Sequence, residues 1–192
     1  VATYKMGETL ADAMFGVWLT REHAIPKETV AVWLGGWGMG ASVLGSFAGG
    51  YLATRFRATR AVFLAGVLRL LPLIAQWALT AGLLEVSRET IVPITIAEHL
   101  FGGALTTTMF ALMMASVDRR IGATHYTLLA SVEVLGKSLP VLLGGVLADA
   151  LGLAATFALA VVLSAAFLVV CRKLPEPQLR ASRRSRRRRW SA

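Results

Sequence analysis

Eight ionisable side chains, Lys5, Glu8, Asp12, Arg69, Glu98, His99, Glu133 and Lys137, lie within stretches of sequence that are otherwise apolar enough to cross a bilayer. A charge at mid-membrane opposes insertion by about 2.5–3.5 kcal/mol, so such groups usually face one another or a wet cavity. Carboxylates, amines and an imidazole in that setting can pair, exchange protons and recognise a charged solute. Together they mark a solute pathway.

Spacing sorts these residues into faces. Tyr126, Ala130, Glu133, Lys137 and Pro140 recur every three or four positions and share one side of a helix. Glu133 and Lys137 can therefore pair directly, either as a neutralised pair that fixes packing or as a proton or substrate site whose partner is released and re-formed. Lys5, Glu8 and Asp12 share a second face, near Tyr4. Two carboxylates one turn apart repel when both are ionised in a low dielectric, which makes one of them a candidate for proton exchange near neutral pH, unless Asp12 sits hydrated at the outer surface. Glu98 and His99 are adjacent and point about 100° apart, so they cannot both face the same partner. Thr106, Thr107 and Thr108 offer hydroxyls to a solute or, more commonly, to their own helix carbonyls. Arg69 stands alone in its segment, about two turns from Ala61, and is expected to snorkel to the nearer membrane face. His23 and His125 fall near opposite surfaces, so no metal site is expected.

These residues require long apolar helices to hold them. The chain of 192 residues is 56% hydrophobic and only 16% charged, with a mean hydropathy of +0.63, too apolar for an ordinary soluble domain. A spanning helix needs about 20 mostly apolar residues, and six windows suffice: roughly 1–20, 30–53, 61–84, 91–117, 124–147 and 153–170. Short polar connections, the last a turn around Asp149, make neighbouring helices antiparallel. The expected fold is thus an all-α membrane protein of six transmembrane helices spanning residues 1–174, followed by a basic tail at 175–192. Gly36, Gly40, Gly45 and Gly49 form a small-residue stripe suited to close helix packing. The sixth window carries no ionisable group and is expected to face lipid.

The net charge of +9 does not point to nucleic acid, because nine basic residues follow Val170. Beside a span, the Arg180 to Trp190 run is better suited to anionic lipid headgroups. Arg55, Arg57 and Arg60, the pair Arg119 and Arg120, and the tail all fall on one side, which the positive-inside rule places in the cytoplasm with both chain ends. The single cysteine, Cys171, allows no internal disulfide. A chain beginning at Val1 is expected to be a piece of a longer protein. No GxxxxGK[ST], HExxH or GxSxG segment is present, so neither an enzyme, an ATP site nor a bound cofactor is expected, and transport would be gradient-driven or passive. A non-transporting scaffold or receptor with the same fold is the alternative.

The segment Gly49-Gly50-Tyr51-Leu52-Ala53-Thr54 resembles Gly144-Gly145-Val146-Leu147-Ala148-Asp149, and the two copies leave on opposite sides of the membrane, as an inverted three-plus-three repeat would. Thr3-Tyr4-Lys5-Met6-Gly7-Glu8, Glu98-His99-Leu100-Phe101-Gly102-Gly103 and Ala123-Thr124-His125-Tyr126-Thr127-Leu128-Leu129-Ala130, with Glu133, Leu135, Gly136 and Lys137, resemble the C-terminal half of a major facilitator superfamily transporter, in the acetyl-CoA transporter and muropeptide permease group. The resemblance covers the chain from Val1 to about Leu174. It implies helices seven to twelve of twelve, a missing N-terminal six-helix half as partner, and alternating access around a cavity lined by the first, second, fourth and fifth helices. It also implies a small organic solute, acetyl-CoA or an anhydromuropeptide. Gly50 to Arg60 matches the superfamily loop GxLADRxGRR only in part, with Thr54 in place of its Asp and Arg55, Arg57 and Arg60 as gating residues. A CoA ester would favour a basic cavity, whereas here three intramembrane cations face four carboxylates.

Overall fold

In lipid a backbone must satisfy its own polar groups, and among the described residues all regular structure is helical. The computed structural model describes residues 1–118 and 120–173. The basic tail at 175–192 and Arg119 lie outside them. The elements are α1 (Met6–Arg21), α2 (Lys27–Val30), a π-helical segment (Ala31–Gly38), α3 (Met39–Arg55), α4 (Ala58–Thr80), α5 (Arg88–Ser116), α6 (Gly122–Leu151) and α7 (Leu153–Lys173). Four helical stretches are long and apolar enough to cross a membrane: Lys27–Arg55, Ala58–Thr80, Gly122–Leu151 and Leu153–Lys173. The other two long helices carry the interrupting charge: α1 has 16 residues with Glu8 and Asp12 among them, and α5 has 29 with Glu98 and His99.

The last reversal of the chain differs from the expected turn around Asp149. Helix α6 continues through that residue to Leu151, and Gly152 alone separates it from α7 with φ at 82°. Only glycine adopts that left-handed backbone without strain.

Helix α3 packs chiefly on α5, α4 on α5 and α7, and α1 on α6 and α7. Small residues permit the closest of these approaches. A Cβ on Gly45 would lie 1.8 Å from the Leu100 carbonyl oxygen, one on Gly49 2.5 Å from that of Ala104, and one on Gly103 2.3 Å from that of Ser42. The expected four-glycine stripe is shorter than that, because Gly40 meets nothing within 4 Å and Gly36 only Val32 of its own element. The π-helical segment that contains Gly36 holds more residues per turn, so one-turn spacing no longer keeps a single face across it.

Helix α7 also departs from expectation. Phe157, Ala160, Phe167 and Cys171 are buried, while Val162, Val169 and Val170 are exposed, so one side packs inward on α1 and α4. Gly7 makes that contact close, with a Cβ there 2.2 Å from the Ala160 carbonyl oxygen. Two apolar clusters result. One gathers Leu10, Phe15, Trp18, Leu73, Ile91 and Phe157, and the other Tyr4, Val62, Ala65, Leu105, Met109 and Phe167. In α4 the two are separated by the turn that carries Arg69.

Candidate functional site

Arg69 does not snorkel. It lies 11 residues into the 23-residue α4, about 16 Å along the axis from Ala58, which is half a bilayer core and beyond easy reach of the surface. Its side chain is 3% exposed and meets carboxylates from two other helices. Nη2 pairs with Glu98 Oε1 of α5 and lies 3.6 Å from Asp12 Oδ1 of α1, while Nε lies 3.8 Å from Glu8 Oε2 of the same helix. The buried charge on α1 thus faces its counter-charge on α4 rather than lipid.

Around this centre the neighbouring residues take distinct roles. Lys5 pairs with Glu8 at 3.2 Å, as their three-residue spacing predicts. Glu98 also meets His99 Nδ1 at 2.5 Å, and that nitrogen lies 3.0 Å from the Thr95 carbonyl oxygen. The His99 ring covers Gly38, where a Cβ would lie 2.8 Å from it. Glu98 therefore turns to α4 and His99 to the π-helical segment, the divergence that their adjacency demands. Gly102 leaves room for the centre, since a Cβ there would approach Glu8 Oε1 to 3.2 Å and Arg69 Nε to 3.4 Å. Thr106 and Thr108 bond their own helix carbonyls, at Gly102 and at Ala104 and Leu105.

A second group lies where α6 meets the start of the chain. Glu133 is buried; its Oε1 accepts a 2.8 Å hydrogen bond from the Tyr4 hydroxyl and pairs with Lys137. A Cβ on Gly136 would lie 2.0 Å from the Ala2 carbonyl oxygen, so α6 abuts the residues that lead into Tyr4. Tyr126, two turns before Glu133, is half-buried and outside both groups of ion pairs. Arg55, Arg57 and Arg60 are exposed at the α3–α4 junction.

Chemically, the centre is an incompletely satisfied ionic network. Glu8 Oε2 and Arg69 Nε and Nη1 are buried without a hydrogen-bond partner among the described residues. Glu8 Oε2 and Arg69 Nε face each other at 3.8 Å, so they are held by ion pairing at longer range than a hydrogen bond. Glu8, Asp12 and Glu98 place oxygens within 4.8 Å of one another, a spacing that could hold a metal ion, but Arg69 is the cation they already share. Lys5, Arg69 and Lys137 against Glu8, Asp12, Glu98 and Glu133 leave one negative charge, which His99, paired with Glu98, balances when it is protonated.

Long apolar helices around a buried ionic centre mark an integral membrane protein. The model of the Major Facilitator Superfamily matches residues 2–192, and the chain belongs to that family. Among individual proteins, the anhydromuropeptide permease of Escherichia coli (strain K12) is 28% identical over 142 residues, covering 71% of this chain. The anhydromuropeptide permease of Escherichia coli O157:H7 matches to the same extent. The chain spans only 28% of the length of these permeases.

Proposed function

We propose that this chain is the C-terminal six-helix half of a secondary transporter that moves a small organic solute by alternating access, coupled to protons. The observation that carries this reading is the network joining α1, α4 and α5 through Arg69, in which Glu8, Asp12 and Glu98 have only Lys5 and Arg69 as permanent cations and His99 adds a third charge only when protonated. A structural ion pair needs only permanently matched charges; a network whose balance turns on one imidazole or carboxyl proton suits a group that binds and releases a proton.

The packing supports an inverted repeat. If α1, α2–α3 and α4 correspond to α5, α6 and α7, the contact of α3 with α5 becomes that of α6 with α1, and the contact of α4 with α5 becomes that of α7 with α1. Both partner contacts are present. The glycine pairs behave alike too: Gly49 and Gly144 face neighbouring helices while Gly50 and Gly145 meet nothing within 4 Å. With α1 and α5 counted as spans, the basic α3–α4 and α5–α6 connections fall on one side, which we assign to the cytoplasm together with both chain ends.

An anhydromuropeptide is the first solute to test, from the names of the similar permeases. Acetyl-CoA is the second, because the Tyr4, Glu98 and Tyr126 motifs resemble those of major facilitator superfamily domain-containing protein 3. The N-terminal half would close the cavity, Arg55, Arg57 and Arg60 would gate the loop, and anionic lipid would hold the basic tail. In the complete protein, Glu8→Gln is expected to remove the pH dependence of solute uptake. Uptake that keeps its full response to a pH gradient in Glu8→Gln and loses it in Glu133→Gln would place coupling at Glu133 and contradict the Arg69 centre as its site.

A further inference from the structure

We propose that Lys137 receives an oxyanion of the transported solute, a carboxylate or a phosphate, while Tyr4 holds Glu133 in place behind it. The assignment rests on the transporter reading and names the chemistry of its solute.

The cations of the site are not equally available. Arg69 is 3% exposed and shared among three carboxylates, so an incoming anion could neither reach it nor displace its partners. Lys5 is 15% exposed and pairs with Glu8. Lys137 is 31% exposed and extends from α6 on a flexible four-carbon stem, so its ammonium can turn from Glu133 towards a solute. Withdrawing a cation from a buried carboxylate is ordinarily prohibitive, because the remaining charge is stranded. Here Glu133 keeps the Tyr4 hydroxyl as donor to the same oxygen, Oε1, that Lys137 leaves. Tyr4 is buried and packs its ring on Phe167 at 6.2 Å, so it remains in place while Lys137 moves. The arrangement combines a fixed hydrogen-bond donor and a movable cation on one carboxylate oxygen.

The test uses the purified complete protein and follows thermal stability while titrating an anhydromuropeptide with free carboxylates, its carboxamide counterpart, acetyl-CoA and inorganic phosphate. At least one anionic probe is expected to stabilise the wild type, the carboxamide to do so less if the muropeptide is that probe, and Lys137→Gln to raise the half-saturating concentration about tenfold or more. Glu133→Gln is expected to bind that probe at least as tightly as wild type, because it releases Lys137. The double variant Glu133→Gln with Lys137→Gln removes both charges without stranding either, and is expected to fold and still bind weakly. Equal half-saturation in wild type and both Lys137→Gln proteins, or no stabilisation of wild type by any anion, would overturn the proposal. Anion binding through Lys137 without uptake in proteoliposomes would retain the anion site and reject the transporter reading, so the two can fail separately.

Discussion

Arg69→Met is expected to destabilise the protein by about 3–5 kcal/mol, the usual consequence of removing one partner from a buried ion pair. Methionine fills most of the volume, so the loss comes from electrostatics rather than from a cavity. Glu98 and Glu8 would be left buried beside one another, whereas Asp12, with its side chain 43% exposed, is less enclosed. Arg69→Lys should fall between, since a single ammonium cannot reproduce a guanidinium that reaches carboxylates on both α1 and α5. Adding Glu98→Gln to Arg69→Met should recover part of the loss, and the double-mutant cycle isolates the pair. Thermal unfolding of the complete protein in detergent measures these variants, with Glu98→Gln alone and the wild type completing the cycle. An Arg69→Met protein that unfolds with the wild type would mean that Arg69 is not the counter-charge of the centre.

Gly45→Val is expected to be comparably severe through packing alone. A Cβ at Gly45 would stand 1.8 Å from the Leu100 carbonyl oxygen, 2.7 Å from its carbonyl carbon and 3.0 Å from its Cα. All three are backbone atoms of α5, so no rotamer change relieves the clash and α3 must separate from α5. Overpacking typically costs about 1–3 kcal/mol, with valine at the upper end or beyond and alanine lower. Because Leu100 directly follows Glu98 and His99 in α5, the displacement should also reduce uptake by whatever protein remains folded. Gly50→Ala and Gly40→Ala enter open space and should change stability by no more than about 0.5 kcal/mol. Equal unfolding temperatures for Gly45→Val and Gly50→Ala would contradict the close approach of α3 and α5.

What could be read from sequence was the part that helical periodicity encodes. Lys5 with Glu8 and Glu133 with Lys137 pair at three- and four-residue spacing, and both pairs form. The divergence of Glu98 from His99 and the carbonyl bonds of Thr106 and Thr108 follow from the same geometry. Contacts between helices had no such signal. A span starting at Ala61 sets Arg69 within snorkelling reach; α4 starts at Ala58, which sets the guanidinium deeper, and its partners are 29, 57 and 61 residues away in the chain. The π-helical segment was equally hidden. Val32, Trp33, Leu34 and Trp37 give it a continuous apolar signal, and Gly35, Gly36 and Gly38 permit underwinding without specifying it.

The most direct test is uptake of labelled anhydromuropeptide and labelled acetyl-CoA by the complete protein in proteoliposomes, with and without an imposed proton gradient. The account predicts uptake of at least one solute that rises with the gradient and disappears when a protonophore collapses it. Uptake that ignores the gradient would contradict proton coupling, and no uptake of either solute by protein with an intact melting transition would contradict the proposed transporter of this solute class.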